Sequence, residues 1–135
     1  MSHAFNIRVY WEDTDAGGIV FYANYLKFFE RARTEWLRSL GIGQHALREQ
    51  TGGMFVVSET EVKYHRPAQL DDMLQVSAKL HTKGRASLVI AQQAWRLEDD
   101  GSHTLLCEGT IRIGWVQAHS LKPERIPSSI LELLS

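Results

Sequence analysis

Residues 12–25 read Glu-Asp-Thr-Asp-Ala-Gly-Gly-Ile-Val-Phe-Tyr-Ala-Asn-Tyr, and this stretch separates a strand from a long helix. Before it, apolar residues alternate with other residues at the period of two that is typical of a half-buried strand: Phe5, Ile7, Val9 and Trp11. After it, apolar residues recur at helical spacing, with Arg33 as the one interruption: Leu26, Phe29, Trp36, Leu37 and Leu40. We expect the helix to begin within residues 22–24 and to end at Gly41.

The remainder of the chain is strand-like apart from a looser stretch around Gly52 and Gly53. Strands are predicted over residues 54–66, 73–82 and 86–97, with a hairpin connection at residues 83–85 and a turn at residues 99–101. A final strand places one set of residues on a single face: Leu105, Cys107, Gly109, Ile111, Ile113 and Trp115. Pro127 and Ser128 are expected to open a short helix that runs to Leu134.

This order of elements predicts an α+β fold. It comprises a strand, a long helix and four strands in an antiparallel meander, so that the helix covers one face of a five-stranded antiparallel sheet. Neither a repeat nor a linker interrupts the 135 residues, which indicates a single domain over residues 1–135. Strand 88–97 is apolar on both of its faces, which favours burial of the second face by another subunit in a homo-oligomer.

Composition excludes several classes of protein. The formal net charge is -1, which argues against a nucleic-acid partner. Cys107 is the only cysteine, so no internal disulfide can form and a reducing compartment is favoured. The sequence has neither an apolar run of signal-peptide character nor the roughly 20 apolar residues that span a bilayer. We therefore expect a cytoplasmic protein without an integral membrane segment.

The densest chemistry lies where a carboxylate, two glycines and a helix start follow one another. Asp15 would lie beside main-chain N–H groups that the first turn of a helix leaves unpaired, and such groups can stabilise an oxyanion. Gly17 and Gly18 allow the backbone to approach a ligand closely. The plainer interpretation is that Asp13 or Asp15 only caps a turn, and acidic residues often do so before helices.

Residues 10–33 carry three motifs: Glu-Asp-Thr-Asp-Ala-Gly-Gly-Ile-Val, Asn-Tyr-Leu and Phe-Phe-Glu-Arg-Ala-Arg-Thr-Glu. Together they resemble the 4-hydroxybenzoyl-CoA thioesterase family of hotdog proteins, and among these most of all the Tol-Pal-associated acyl-CoA thioesterases. The resemblance continues in Pro-Ala-Gln-Leu-Asp-Asp at residues 67–72 and in the Leu-Lys-Pro and Ile-Pro of residues 121–127, so it spans nearly the whole chain. It implies a hotdog fold, in which five strands wrap around one long helix, and dimers or tetramers with sites at subunit interfaces.

The resemblance also implies roles for two residues. Asp15, in the Asp-x-x-Gly pattern, corresponds to the catalytic carboxylate. The backbone amide of Tyr22 corresponds to the group that polarises the thioester carbonyl. The Tol-Pal-associated group usually has His at this position, whereas hydroxybenzoyl-type members have Tyr. Having Tyr instead of His here costs little activity if the backbone amide polarises the carbonyl. If the His side chain contributes, the subgroup assignment and the substrate preference change.

A lone carboxylate suits this reaction, because a thiolate leaves readily and needs no strong acid. Asp15 could attack the carbonyl to give a mixed anhydride or deprotonate a water molecule, and the sequence leaves both routes open. The products would be a carboxylic acid and free CoA, or acyl carrier protein, with neither metal nor cofactor. The usual phosphate-binding loops are absent from the sequence, so Lys83 and Arg85 at the hairpin are the expected contacts for the CoA phosphates.

Other candidates favour plainer interpretations. Glu30 and Glu35 could supply a helix carboxylate, as in some hotdog thioesterases, but ion pairs of Glu30 with Arg31 and Arg33 are favoured. His65 could line a substrate channel, although a strand-end residue is the simpler interpretation.

Cys107 is interpreted as a core residue rather than a nucleophile, and the six histidines lack metal-ligand spacing. Two alternatives remain open: a hotdog dehydratase or hydratase, which would need a His that the Asp15 segment lacks, and a non-enzymatic acyl-CoA-binding or scaffold protein.

Overall fold

The structure is a computed structural model and describes residues 2–134. Its helices and strands follow in chain order as β1 Ser2–Arg8, α1 Tyr25–Ser39, α2 Gln44–Thr51, β2 Gly53–Tyr64, β3 Met73–Lys83, β4 Ser87–Leu97, β5 His103–Gln117 and α3 Ser128–Leu133. Two short 3₁₀ turns, Trp11–Asp13 and Tyr22–Asn24, lie between β1 and α1. The predicted α+β class and the closing helix are confirmed.

The five strands form one antiparallel sheet in the order β1-β3-β4-β5-β2. The prediction of a four-strand meander is therefore wrong for β2, which pairs with β5 at the far edge and not with β3. Residues 65–72 connect β2 to β3, and they bind other loops instead of forming a hairpin: the amide of Val20 donates to the carbonyl of Ala68 at 2.9 Å. Hydrophobic alternation shows which residues face the core, but it does not show which strands are neighbours.

Helix α1 packs on one face of the sheet and supplies much of the core. Its buried residues are Tyr25, Phe28, Phe29, Ala32, Arg33, Trp36 and Leu37. The prediction that Leu26 lies on the buried face is wrong, because its side chain is 41% exposed. The helix begins at Tyr25, one residue after the predicted range, because residues 22–24 form the 3₁₀ turn. In the first turn of the helix, Tyr25 and Phe28 are buried instead of Leu26.

The first strand is shorter than its apolar alternation predicts. It ends at Arg8, which pairs with Met73, the first residue of β3. Beyond that point β3 offers no partner, and the chain leaves the sheet through hydrogen bonds of Val9 with the loop at Asp71 and Asp72. Trp11 is consequently not a core residue, and its side chain is 78% exposed.

Two further features were not predicted. Helix α2 fills the stretch that was expected to be loose, and none of its residues is buried, so it carries no apolar stripe that periodicity could detect. Leu106 is buried beside Cys107, because the register between β4 and β5 shifts at Ala94 and Trp95. The alternation assumed for the final strand therefore breaks at one point.

The face of β4 opposite α1 is only half-buried. Leu88, Ile90, Gln92 and Ala94 point into the core, whereas the alternate side chains from Val89 to Leu97 lie on the outer face of the sheet. In residues 2–134, no helix combines the length and the apolar character needed to cross a membrane.

Candidate active site

Asp15 lies in a tight turn that the backbone closes on both sides. Its amide donates to the carbonyl of Ile19 at 2.9 Å, and its carbonyl accepts from the amide of Gly18 at 3.0 Å. Gly18 has a φ of 80°, a left-handed conformation that costs glycine little and that other residues avoid. The turn therefore requires glycine at residue 18.

The two carboxylate oxygens of Asp15 have different surroundings. Oδ1 accepts hydrogen bonds from the amides of Gly17, at 2.9 Å, and Ile19, at 3.4 Å. For Oδ2, no hydrogen-bond donor is found in residues 2–134. A Cβ atom at residue 17 would lie 3.3 Å from Oδ1, so Gly17 leaves room for this arrangement. Asp15 thus closes a turn with one oxygen and keeps the other accessible.

The connection between β2 and β3 holds this turn from the other side. The amide of Leu70 donates to the carbonyl of Gly18 at 3.2 Å, and the amide of Ala68 donates to the hydroxyl of Tyr25 at 3.0 Å. Burial raises the pKa of Tyr25, so this hydroxyl stays protonated well above neutral pH. Two segments that are distant in sequence, residues 15–20 and 67–72, are thereby fixed against each other.

Tyr22 opens the 3₁₀ turn that leads into α1. Its carbonyl accepts a hydrogen bond from the hydroxyl of Tyr64 at 2.8 Å, and the two rings pack edge to face. Its side chain is 73% exposed. Its amide has no hydrogen-bond acceptor in the described part of the chain, as expected for the first residue of a helical turn. The main chain therefore presents a free N–H group here.

Asp15 and Tyr22 line the same cavity, which has a volume of about 400 Å³. Its other lining residues are mostly aromatic or apolar: Ile19, Val20, Phe21, Tyr25, Tyr64, His65, Arg66 and Pro67. Asp15 is the only carboxylate among them. Tyr25 and Tyr64 were not predicted as site residues. Tyr25 lies within the Asn-Tyr-Leu motif and could have been noticed, whereas Tyr64 carries no local signal.

His65 agrees with both of its interpretations, as a strand-end residue and as a residue that lines a substrate channel. It follows the last residue of β2, and it also lines the cavity. Its Nε2 atom lies 2.9 Å from Oε2 of Glu108, so the ring is held by a neighbouring strand.

Lys83 and Arg85 lie at the opposite end of the sheet in the same chain. Across the paired strands β4 and β5, Lys83 lies in the same row of the sheet as Val57 of β2. Tyr64, which lines the cavity, lies seven residues further along β2. At about 3.3 Å per residue this separation is about 20 Å. The fold therefore brings Asp15, Gly17, Gly18 and Tyr22 together and does not bring Lys83 or Arg85 to them. Their role in phosphate binding stays a prediction.

The other candidates have structural partners. Glu30 accepts a hydrogen bond from the Thr34 hydroxyl, and Glu35 pairs with Arg38. The predicted ion pairing of Arg33 is wrong: its side chain is buried, and its Nη1 donates to Oε1 of Gln92 at 2.9 Å. Burial lowers the pKa of Arg33.

Cys107 is a buried free thiol. Its pKa is raised to about 12 by burial and, less strongly, by the negative charge of Glu108. This opposes thiolate formation and confirms the core interpretation.

A larger hollow of about 640 Å³ lies on the outer face of the sheet. Its lining includes the charged residues Glu61, Lys63, Lys79 and Glu108. Neither the Asp15 turn nor the start of α1 borders it. Within residues 2–134, no three His, Cys, Asp or Glu side chains are grouped so that they could hold a metal ion.

One long helix against a five-stranded antiparallel sheet, with a carboxylate turn at the helix start, defines a hotdog-fold protein. A solved structure of a 4-hydroxybenzoyl-CoA thioesterase mutant, in complex with 4-hydroxybenzoyl-CoA, superposes with a TM-score of 0.93 at 20% identity over 99% of both chains. At this identity the likeness shows the fold, and the hotdog prediction is confirmed.

Residues 9–134 match the family model of the thioesterase-like superfamily, and the chain belongs to this family. It is 42% identical to the acyl-CoA thioester hydrolase YbgC of Escherichia coli O6:H1, over 93% of this chain and 90% of the relative. It is 38% identical to the acyl-CoA thioesterase YbgC of Haemophilus influenzae, over 94% of this chain and 90% of the relative. The prediction of a thioester hydrolase is confirmed.

Proposed function

We propose that the chain hydrolyses acyl-CoA thioesters to free CoA and a carboxylic acid, with Asp15 as the reacting carboxylate. One observation carries the proposal: Asp15, whose Oδ2 has no hydrogen-bond donor in residues 2–134, and Tyr22, whose amide has no acceptor there, line one cavity. An acyl thioester needs both, an electron-pair donor for its carbonyl carbon and a hydrogen-bond donor for its carbonyl oxygen. The names of the YbgC relatives support CoA as the carrier.

The thioester oxygen would accept a hydrogen bond from the amide of Tyr22. This amide lies at the positive end of the helical segment that continues into α1, and it would stabilise the negative charge that develops on the oxygen. The hydroxyl of Tyr64 holds the carbonyl of Tyr22 and so fixes the turn to which the amide belongs. An amide that is already oriented requires little reorganisation during the reaction.

Oδ2 of Asp15 can complete the reaction by either of two routes. As a nucleophile it forms a mixed anhydride while the C–S bond breaks and CoA leaves as a thiolate, and water then cleaves the anhydride. As a general base it takes a proton from water, the hydroxide adds to the carbonyl, and the thiolate leaves and is protonated. In both routes the hydrogen bonds of Gly17 and Ile19 to Oδ1 hold the carboxylate in position.

The decisive experiment compares thiol release by the wild-type protein and by Asp15→Asn over a panel of aromatic and aliphatic acyl-CoAs. Asparagine keeps the oxygen that closes the turn, so we expect the fold to persist while kcat falls by about 10²–10⁴-fold. A folded Asp15→Asn variant with near wild-type turnover would remove Asp15 from the mechanism. A single turnover in ¹⁸O-labelled water then tests for the anhydride route, because water that attacks the Asp15 carbon of the anhydride leaves label in the carboxylate and the general-base route cannot.

We also propose that the chain is a cytoplasmic homo-oligomer, a dimer or a tetramer. Strand β2 is an edge strand of 12 residues that pairs only with β5, and the outer face of β4 is half-buried. Both features favour association with a second copy. Lys83 and Arg85 would contact the CoA phosphates from such a copy, because in their own chain they lie at the far end of the sheet. The reduced Cys107 supports the cytoplasmic location.

A further inference from the structure

Two residues before Asp15, the chain carries a second aspartate with a different environment. Asp13 is only 4% exposed. Its Oδ2 accepts a hydrogen bond from the amide of Tyr10 at 2.9 Å, and its Oδ1 accepts one from Nδ2 of Asn24 at 3.1 Å. Asn24 is fully buried. Asp13 and Asn24 therefore form a buried pair with both carboxylate oxygens engaged.

This pair joins the two segments that supply the proposed chemistry. Asp13 ends the 3₁₀ turn that leads into the Asp15 turn, and Asn24 ends the 3₁₀ turn that begins at Tyr22. The hydrogen bond between Asp13 and Asn24 spans 11 residues of sequence. It thus fixes the carboxylate segment against the amide segment from the side of the core.

The hydrogen bonding of the Asp13–Asn24 pair is incomplete. Oδ1 of Asn24 is buried and has no hydrogen-bond partner among the described residues. An unpaired buried acceptor costs free energy, and two apolar residues of similar shape would avoid this cost. Rotating the amide would bring Oδ1 against the Asp13 carboxylate, so Asp13 also fixes the orientation of Asn24. An arrangement retained at a cost in stability points to a task other than stability.

We propose that Asp13 and Asn24 are positioning residues that set the separation between the Asp15 carboxylate and the Tyr22 amide. Neither residue contacts the substrate, and both act through the two groups that do. The inference rests on the proposed function, since it concerns how the same site is held in its reactive geometry. Small displacements of reacting groups reduce rates strongly, whereas the binding of the CoA portion depends on contacts elsewhere.

Two single variants and one double variant test the proposal. Asp13→Asn keeps an oxygen for the Tyr10 amide and replaces the charged acceptor facing Asn24 by an amide, so Asn24 must rotate to keep a hydrogen bond. Asn24→Asp places two carboxylates together. For each we expect kcat to fall between about tenfold and 100-fold, with KM for acyl-CoA changed by less than about threefold. The double variant Asp13→Asn/Asn24→Asp restores the hydrogen bond with donor and acceptor exchanged, and we expect it to recover most of kcat.

A matched control is Asp100→Ala. Asp100 also binds a backbone amide, that of Ser102 at 2.8 Å, but in the exposed turn between β4 and β5. We expect this variant to lose thermal stability and to keep kcat. If the single variants at residues 13 and 24 lose stability alone and keep kcat below their melting temperature, the pair is structural and the inference fails. Failure of the double variant to recover kcat, despite a folded protein, also overturns it.

The outcome is separable from the proposed function. An active Asp15→Asn variant would refute the proposed chemistry whatever happens at residues 13 and 24. An inactive Asp15→Asn variant, together with fully active Asp13→Asn and Asn24→Asp variants, would refute only the positioning role.

Discussion

The two ends of the sheet are built differently. At the site end, residues 9–24 and 65–72 cross one another as irregular chain, held by scattered backbone bonds such as that from Leu70 to Gly18. At the hairpin end, which comprises residues 83–87 and the backbone beside them, short bonds close in a regular way: Gly84 to Ser87 at 2.9 Å and Trp115 to Ala86 at 2.9 Å. The crossing segments leave the Tyr22 N–H group and Oδ2 of Asp15 without a hydrogen-bond partner in residues 2–134, whereas backbone hydrogen bonds close the hairpin turn.

This difference shows how one small domain separates chemistry from stability. A reactive group must keep unused hydrogen-bonding capacity for the substrate, and loops and the first turn of a helix leave such groups unpaired, whereas paired strands do not. The core on α1 and on strands β3 to β5 stabilises the fold independently of them: Phe28, Phe29, Trp36, Leu74, Leu88, Ile90 and Ile111 are almost completely buried. We therefore expect substitutions at the site end to change turnover and those at the hairpin end to change stability.

After Asp15→Asn, the largest effect should come from removing the amide hydrogen of Tyr22 at the site end. Tyr22→Pro removes the free amide, and proline is compatible with the first position of a helical turn that follows the extended Phe21. We expect kcat to fall by about 10²–10³-fold, as when an oxyanion donor is lost. The control is Tyr22→Ala, which removes the exposed side chain and keeps the N–H. Equal activity of the two variants would exclude a role for the amide, and Tyr22→His would show whether the side chain matters for substrate preference.

A pair of glycines separates turnover from stability. Gly18→Ala strains the left-handed residue of the Asp15 turn, at a cost of about 1–2 kcal/mol. Gly53→Ala places a methyl group against the Trp115 ring at the hairpin end, at a cost of about 1–3 kcal/mol. Urea unfolding should show similar losses of stability, while only Gly18→Ala should lower kcat, by about tenfold or more. An inactive but folded Gly53→Ala would contradict the division between the two ends.

A smaller effect tests whether the hairpin end of one chain serves the site of another. If Lys83 and Arg85 contact the CoA phosphates from a second copy, Lys83→Ala/Arg85→Ala should raise KM for acyl-CoA several-fold, by about 1 kcal/mol of binding, and leave kcat unchanged. The KM for thioesters of N-acetylcysteamine, which lack the phosphates, should stay constant. An unchanged KM for acyl-CoA would remove both residues from the binding site.

The smallest effect on activity should be at Cys107. Because its pKa is raised from 9.0 to about 12, the folded state holds the thiol proton more tightly than the unfolded state. Stability is then fully present below about pH 9 and is lost as the pH rises toward about 12. Cys107→Ala should keep kcat and reduce this alkaline loss, measured by urea unfolding at several pH values. The loss of stability that remains is expected from Tyr25 and Tyr64, whose pKa values are also raised by burial.

Local patterns in the sequence were sufficient where neighbouring residues decide the outcome. The helical spacing from Phe29 to Leu37 identified α1, and alternation identified the last three strands. The Asp15-Ala16-Gly17-Gly18 turn was recognisable because a left-handed residue at position 18 requires glycine. The strands beside β2 could not be identified in this way, since a period of two is the same whatever strand lies next to it. The prediction of Trp11 as part of β1 failed for a related reason, because the strand ends where β3 ceases to provide a partner.

The sequence by itself determined the α+β class, the helix that supports the site, and the carboxylate turn in front of that helix. Only the tertiary structure decided that Tyr64 and the 65–72 connection close the cavity, that Asp13 and Asn24 tie its two halves together, and that Lys83 lies at the far end. The physical reason is the distance along the sequence between the residues that interact. Turn chemistry and helix periodicity arise from residues a few positions apart, whereas a site is completed by contacts between segments that only the folded sheet brings together.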